Sequence, residues 1–126
     1  MTRSSGVACV FLALGLLLTA CGGGSGGTKN TTAPITASNG KVTIVAHDIY
    51  FNTKEIDAPP GKLTITLDNQ GSQLHTFVID KPHIKLSTSP HQKATGTVDL
   101  TAGTYSFYCD IPGHRSQGMN GQLVVK

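Results

Sequence analysis

The chain has 126 residues, enough for one domain and too few for two. Only 13% of its residues are charged, the formal net charge is +3, and lysine and arginine form no cluster, which excludes a nucleic-acid-binding role. Three cysteines, Cys9, Cys21 and Cys109, lie in segments of different character.

Residues 1–20 have the make-up of an export signal. Arg3 supplies the positive start, and Val7 to Leu18 is a nearly unbroken apolar run, too short to span a bilayer. Leu18-Thr19-Ala20-Cys21 resembles the lipobox of bacterial lipoproteins, in which small residues precede the cut and the cysteine thiol receives the lipid. An ordinary signal cut near Ala20 would leave Cys21 as a free exposed thiol, a liability outside the cell. The expectation is therefore an exported protein, lipid-anchored through Cys21 at the outer face of a cell membrane, cytoplasmic or outer. Removal of residues 1–20 also removes Cys9. Cys109 is then the one free thiol, and a lone thiol in an oxidising compartment needs protection, which a metal provides.

Residues 21–40 read as the lipidated cysteine and a linker. The run Gly22-Gly23-Gly24-Ser25-Gly26-Gly27 cannot bury a core, and the Thr/Asn/Ala stretch behind it adds little. A flexible chain of this length reaches about 24 Å, which keeps the domain close to the membrane. Gly22 to Lys29 is not a phosphate-binding loop, since no strand precedes it and the Gly-Lys-Ser/Thr ending is missing.

Residues 41–126 read as short strands. Val42, Ile44 and Ala46 alternate with Thr43 and Val45, and Lys62 to Asp68 alternates strictly between polar and apolar. Leu74 to Ile79 places His75, Phe77 and Ile79 on one face. Thr97 to Leu100 follows, then Thr104 to Cys109 with Tyr105, Phe107 and Cys109 on one face, and Gly121 to Lys126 closes the chain. Turn chemistry separates these runs at Pro59-Pro60-Gly61, Asp68-Asn69-Gln70-Gly71, Ala102-Gly103 and Pro112-Gly113. Lys81 to Ala94 has no clear period. The pattern predicts an all-β, antiparallel β-sandwich with a small core, which a bound metal would stabilise.

The chemistry concentrates on one stretch, Tyr108-Cys109-Asp110-Ile111-Pro112-Gly113-His114-Arg115-Ser116-Gln117-Gly118-Met119. A thiolate, an imidazole and a thioether follow one another there, each separated from the next by four residues. Singly, each has an ordinary explanation: Cys109 as a core thiol, His114 as a loop histidine, Met119 as a core plug, and His75 as a satisfied core histidine. All four together point to a mononuclear metal site. One thiolate and two imidazoles with a weak axial thioether is the blue-copper donor set. Zinc prefers closed Cys/His sites without thioether. A binuclear copper centre needs a second cysteine in the loop, haem attachment needs Cys-x-x-Cys-His, and iron–sulfur clusters need more cysteines. The metal read from these residues is one copper ion. His47, His83 and His91 form no obvious cluster, and His83 and His91 read as solvated loop histidines.

Leu100-Thr101-Ala102-Gly103-Thr104-Tyr105-Ser106-Phe107-Tyr108-Cys109 through Met119-Asn120-Gly121 resembles the C-terminal half of the cupredoxins, the plastocyanin/azurin family. The two ligand gaps are most similar to those of its rusticyanin and sulfocyanin branches. Plastocyanins have a shorter first gap and azurins a shorter second one. The resemblance covers about residues 41–126. It implies a Greek-key sandwich with one type 1 copper, His75, Cys109 and His114 as equatorial ligands and Met119 as the axial one. It also implies that Thr76, after the first histidine, hydrogen-bonds near the ligand sulfur. The His114 edge would be the electron portal, within an apolar docking patch formed by Ile111, Pro112 and Gly113.

The expected function is a monomeric, membrane-tethered electron carrier that meets redox proteins, themselves membrane-associated, through small transient surfaces. No acid, base or nucleophile set is visible, so no enzyme activity is expected. Extracytoplasmic copper binding and delivery is the competing reading, and it uses the same ligands. Open, Met-rich sites suit delivery, whereas this chain has only Met1 and Met119. A structural or adhesive sandwich with coincidental Cys, His and Met is the third. Arg115 is placed either to steer an acidic partner or to aid solubility.

Overall fold

A computed structural model describes residues 33–126, and these fold into two packed β-sheets with no helix among them. The strands are β1 (Ile35–Thr36), β2 (Lys41–His47), β3 (Tyr50–Phe51), β4 (Glu55–Ala58), β5 (Gly61–Asn69), β6 (His75–Ile79), β7 (Ile84–Thr88), β8 (Lys93–Leu100), β9 (Gly103–Tyr108) and β10 (Asn120–Val125). One sheet has the order β1-β4-β10-β9-β6-β7 and the other β3-β2-β5-β8. The chain passes repeatedly from one sheet to the other, so neighbouring strands are mostly distant in sequence. β2–β3, β5–β8, β6–β7, β6–β9 and β9–β10 pair antiparallel as expected, while β1–β4, β4–β10 and β2–β5 run parallel.

The alternation read in the sequence sets the two faces of each strand. In β5, Leu63, Ile65 and Leu67 point into the core, and Thr64, Thr66 and Asp68 point away from it. Thr64 and Thr66 meet the hydroxyls of Thr97 and Thr95 on β8 at 3.3 and 3.0 Å, a cross-strand ladder on the polar face. β6 differs, since all five of its residues are buried. Its edges are paired with β9 and β7, and the burial of all five side chains shows that both of its faces are covered as well. The centre of the sandwich is aromatic. Phe77 of β6 and Phe107 of β9 stack at 5.0 Å, and Phe51 reaches across from the other sheet to meet them edge-on at 6.0 and 5.6 Å. Such pairs add about 0.5–1.5 kcal/mol each beyond their buried area.

Three elements depart from the expectations. The folded part begins ahead of Lys41. Ile35 is partly buried against the core, β1 pairs with β4, and the Ala37 amide donates to the Asp57 carbonyl at 2.7 Å. The expected linker over 21–40 is therefore shortened from its C-terminal side. Lys81 to Ala94 is not featureless, because it contains β7, with Ile84, Leu86 and Thr88 buried, and the start of β8. β4 supplies a short central strand, its polar Glu55 and Asp57 alternating with buried Ile56 and Ala58. The expected signal peptide, Cys21 and the Gly-rich run lie outside the described residues.

Glycine matters where strands approach closely. A Cβ at Gly121 would lie 2.3 Å from Cζ of Phe107 and 2.5 Å from the Lys54 carbonyl. Only a residue without a side chain lets β10 pass this ring, and β10 follows directly on Met119.

Candidate metal centre

His75 opens β6, Cys109 follows the last residue of β9, and His114 and Met119 lie on the loop that leads into β10. Backbone hydrogen bonds fold this loop on itself. The Cys109 amide donates to the Met119 carbonyl at 3.0 Å, the Met119 amide to the His114 carbonyl at 3.1 Å, and the His114 amide to the Ile111 carbonyl at 3.0 Å. Gly113 and Gly118 turn the loop with φ of 85° and 97°, a region that favours glycine. The ammonium of Lys54 donates to the carbonyls of Gly118 and Asn120, on either side of Met119.

The ligand atoms of His75, Cys109 and His114 all lie within 4.8 Å of one another, and all three residues are buried. The imidazole rings are 5.1 Å apart, and Nδ1 of His114 is 3.5 Å from the Cys109 sulfur. Met119 is fully buried beside them in the chain, tied by its backbone to Cys109 and His114. His47, His83 and His91 do not join: His47 stacks on Tyr50 at 4.9 Å, and the other two are exposed.

The two imidazoles are prepared in different ways. Nε2–H of His75 donates to Oδ1 of Asp48 at 2.9 Å, which leaves Nδ1 as the lone-pair nitrogen. That Nδ1 is buried without a hydrogen-bond partner among the described residues. A buried, unpartnered acceptor is costly unless something occupies its lone pair. Asp48 in turn accepts from the Ser72 hydroxyl, the Ser72 amide at 2.8 Å and the Gln73 amide at 3.2 Å. The Ser72 contacts, with those to His75 and Gln73, hold its carboxyl far below the usual carboxylate range. Burial, and then the neighbouring His75, push the His114 imidazole down, which favours its neutral form.

The sulfur has its own surroundings. The Thr76 amide donates to it at 3.4 Å, and the Thr76 hydroxyl oxygen lies 3.5 Å away. That hydroxyl also contacts Asp110, whose carboxyl Lys85 and Thr76 hold below its ordinary value. The donors therefore fit copper. A thiolate-capable sulfur and two imidazoles converge, a thioether is at hand on the same loop, and one imidazole nitrogen has no hydrogen-bond partner among the described residues.

His114 is not the exposed loop histidine of the ordinary alternative. Only 5% of its surface meets solvent, because the loop's backbone bonds draw it inward. Pro112 and Gly113 are exposed and Ile111 partly so, and they line a depression together with Tyr108, Asp110, Arg115 and Ser116. The Arg115 guanidinium lies over the Tyr108 ring at 4.1 Å, and the Tyr108 hydroxyl donates to Asp80 at 2.7 Å. Asp48 and Lys54 were not visible as site residues in the sequence. Neither carries a motif, and both reach the site only through the packing of distant strands.

Residues 9–125 match the family described as the cupredoxin-like domain. Auracyanin-A of Chloroflexus aurantiacus is 28% identical over 94% of this chain and 94% of its own length. The solved auracyanin of Roseiflexus castenholzii superposes with a TM-score of 0.65 at 22% identity, over 71% of this chain and 99% of that one. Rusticyanin of Thiobacillus ferrooxidans superposes with a TM-score of 0.59 at 28% identity, over 74% of this chain and 82% of that one. With nearly the whole chain inside the family match and a buried Cys/His cluster at the end of a two-sheet sandwich, this protein belongs to the cupredoxin-like domain family.

Proposed function

We propose that this protein is a type 1 copper protein that carries single electrons between extracytoplasmic redox proteins. His75, Cys109, His114 and Met119 would hold the ion. The observation that carries the reading is the buried convergence of His75, Cys109 and His114, with the His75 Nδ1 left without a hydrogen-bond partner among the described residues. A solved relative, auracyanin A, is described as a "blue" copper protein. Bound copper supplies a one-electron Cu(I)/Cu(II) couple at this position.

The chain's own residues make the site suited to carrying rather than converting. Asp48 fixes the tautomer and orientation of His75. The backbone-bonded loop fixes His114 and Met119 relative to Cys109. Behind them, β6 and β9 are held by the stacked Phe77 and Phe107. Ligands attached to so constrained a frame move little when the charge on the site changes. Their burial leaves little room for a substrate, while the exposed edge of the His114 loop gives a short path for an electron. Ile111, Pro112 and Gly113 form the apolar contact for a partner. The protein acts as a monomer, is exported, and is held to a membrane by a lipid on Cys21.

Visible and EPR spectra of copper-loaded protein, with a redox titration, test the centre. An intense blue colour and one reversible one-electron couple are expected, and Cys109→Ser removes the colour. A colourless copper-loaded protein refutes the assignment. Cys21→Ala releases the protein from the membrane fraction, and retention there refutes the anchor.

A further inference from the structure

The Thr76 hydroxyl sits between two acceptors. Its oxygen is 2.7 Å from Oδ1 of Asp110 and 3.5 Å from the sulfur of Cys109. The same oxygen accepts the Asp110 amide at 2.9 Å. A hydroxyl has one proton to give. At 2.7 Å to a carboxylate the bond is short and charge-assisted, so the carboxylate outcompetes the sulfur, 3.5 Å away, for that single proton. The amide and carboxylate of one residue thus close a small ring around the hydroxyl. Lys85 binds the other oxygen, Oδ2, and keeps the carboxylate in place.

We propose that Asp110 sets the electron-donating strength of the Cys109 sulfur by claiming the Thr76 hydroxyl proton, so that the sulfur receives one hydrogen bond, from the Thr76 amide, rather than two. The inference rests on the copper reading above. Asp110 is here a positioning residue that acts through Thr76. Each hydrogen bond to a thiolate withdraws electron density from it, and a poorer sulfur donor favours the reduced metal. Removing the carboxylate frees the hydroxyl to turn to the sulfur. The reduced state then gains, and the sulfur-to-metal absorption moves to higher energy.

The test is a double-mutant cycle on the full copper-loaded chain, read by reduction potential and by the position of the visible band. Asp110→Ala is expected to favour reduction by about tenfold, which for one electron is about 59 mV. In a Thr76→Val background the same substitution keeps only the share due to the lost charge, and the band stays in place. In a Thr76→Ser background, which retains a hydroxyl, the full shift returns. Thr76→Val alone leaves the band almost where it was, since the hydroxyl does not serve the sulfur. Equal shifts for Asp110→Ala in all three backgrounds overturn the proposal and make Asp110 a simple charge. A large band shift from Thr76→Val alone overturns it as well. If the unmutated protein holds copper without a sulfur-to-metal band, the copper reading itself fails and takes this inference with it.

Discussion

Asp48 binds His75 from the side away from the other ligands, and its substitution tests whether the site is preorganised. Asp48→Asn keeps the size and one oxygen but replaces the other with an NH2 group. The carboxylate accepts from the Ser72 hydroxyl and from two amides, at Ser72 and Gln73, in addition to His75. An amide cannot accept from all of these donors, so either His75 or the 72–73 turn loses its partner. Gly71 makes the crowding worse, because a Cβ there would lie 2.2 Å from Oδ1 of Asp48, so the turn is already drawn tightly over the carboxylate. Hydrogen bonds to a charged group are worth about 1.5–3 kcal/mol when well buried. The Asp48 side chain is 28% exposed, which weakens them. Loss of a partner behind a ligand histidine costs about 10- to 100-fold in metal affinity, or about 1.4–2.7 kcal/mol, and the exposure places Asp48→Asn toward the lower end. The potential should rise as well, since His75 without a carboxylate behind it donates less to the oxidised ion. Competition with a Cu(I) chelator, with a redox titration on the same preparations, measures both. Unchanged affinity together with unchanged potential would show that His75 is held by the sandwich alone, and would refute the argument.

Met119→Leu conserves volume at a fully buried position, so the metal-free protein should lose less than about 1.5 kcal/mol in urea unfolding. The copper-loaded form should stay blue with a higher potential, because the oxidised ion loses a weak donor. Gly121→Ala should destabilise the fold by about 1–3 kcal/mol by driving a methyl into Phe107 and the Lys54 carbonyl, with a matching fall in the unfolding midpoint. Asp68 pairs with Lys93 across β5 and β8 at 2.8 Å, and this contact holds its carboxyl below the ordinary value. Its contribution is therefore present above pH about 4 and lost as pH falls through the lower folded value. Asp68→Asn should cost about 0.2–1 kcal/mol at pH 7, and the difference from the parent should vanish at low pH in unfolding titrations.

The parts of this protein legible in its sequence are those where chemistry or geometry restricts the residue type. Cys109, His114 and Met119 stand out because soft-metal donors are scarce and here share one loop. β5 stands out because a half-buried strand must alternate. β7 was hidden by its surroundings, with Pro82 and His83 before it and Pro90 and His91 after it reading as loop. β1 lies inside a stretch of small polar residues, and it is a strand only because Ile56 and Asp57 of β4 lie beside it. A two-residue strand has no period of its own to read.

The residues that prepare the donors escaped for a related reason. Asp48 reaches His75 across 27 positions of sequence, and Lys54 reaches Gly118 and Asn120 across 64 and 66. These contacts exist because β2, β3 and β4 fold onto the end of the sandwich where the ligand loop lies. Three of the four proposed donors are thus local in sequence, while His75 and the constraints on the set are distributed over the fold. The same division explains the burial of His114. A loop rich in Asp, Pro, Gly, Arg, Ser and Gln reads as exposed, yet Lys54 anchors its end and the backbone bonds within it draw its centre inward. If rigidity of the donors is what allows rapid electron exchange, it resides in Asp48, Lys54 and the Phe51–Phe77–Phe107 cluster as much as in the four proposed ligands. Exchange rates should then respond to substitutions at those positions even where the blue colour is kept.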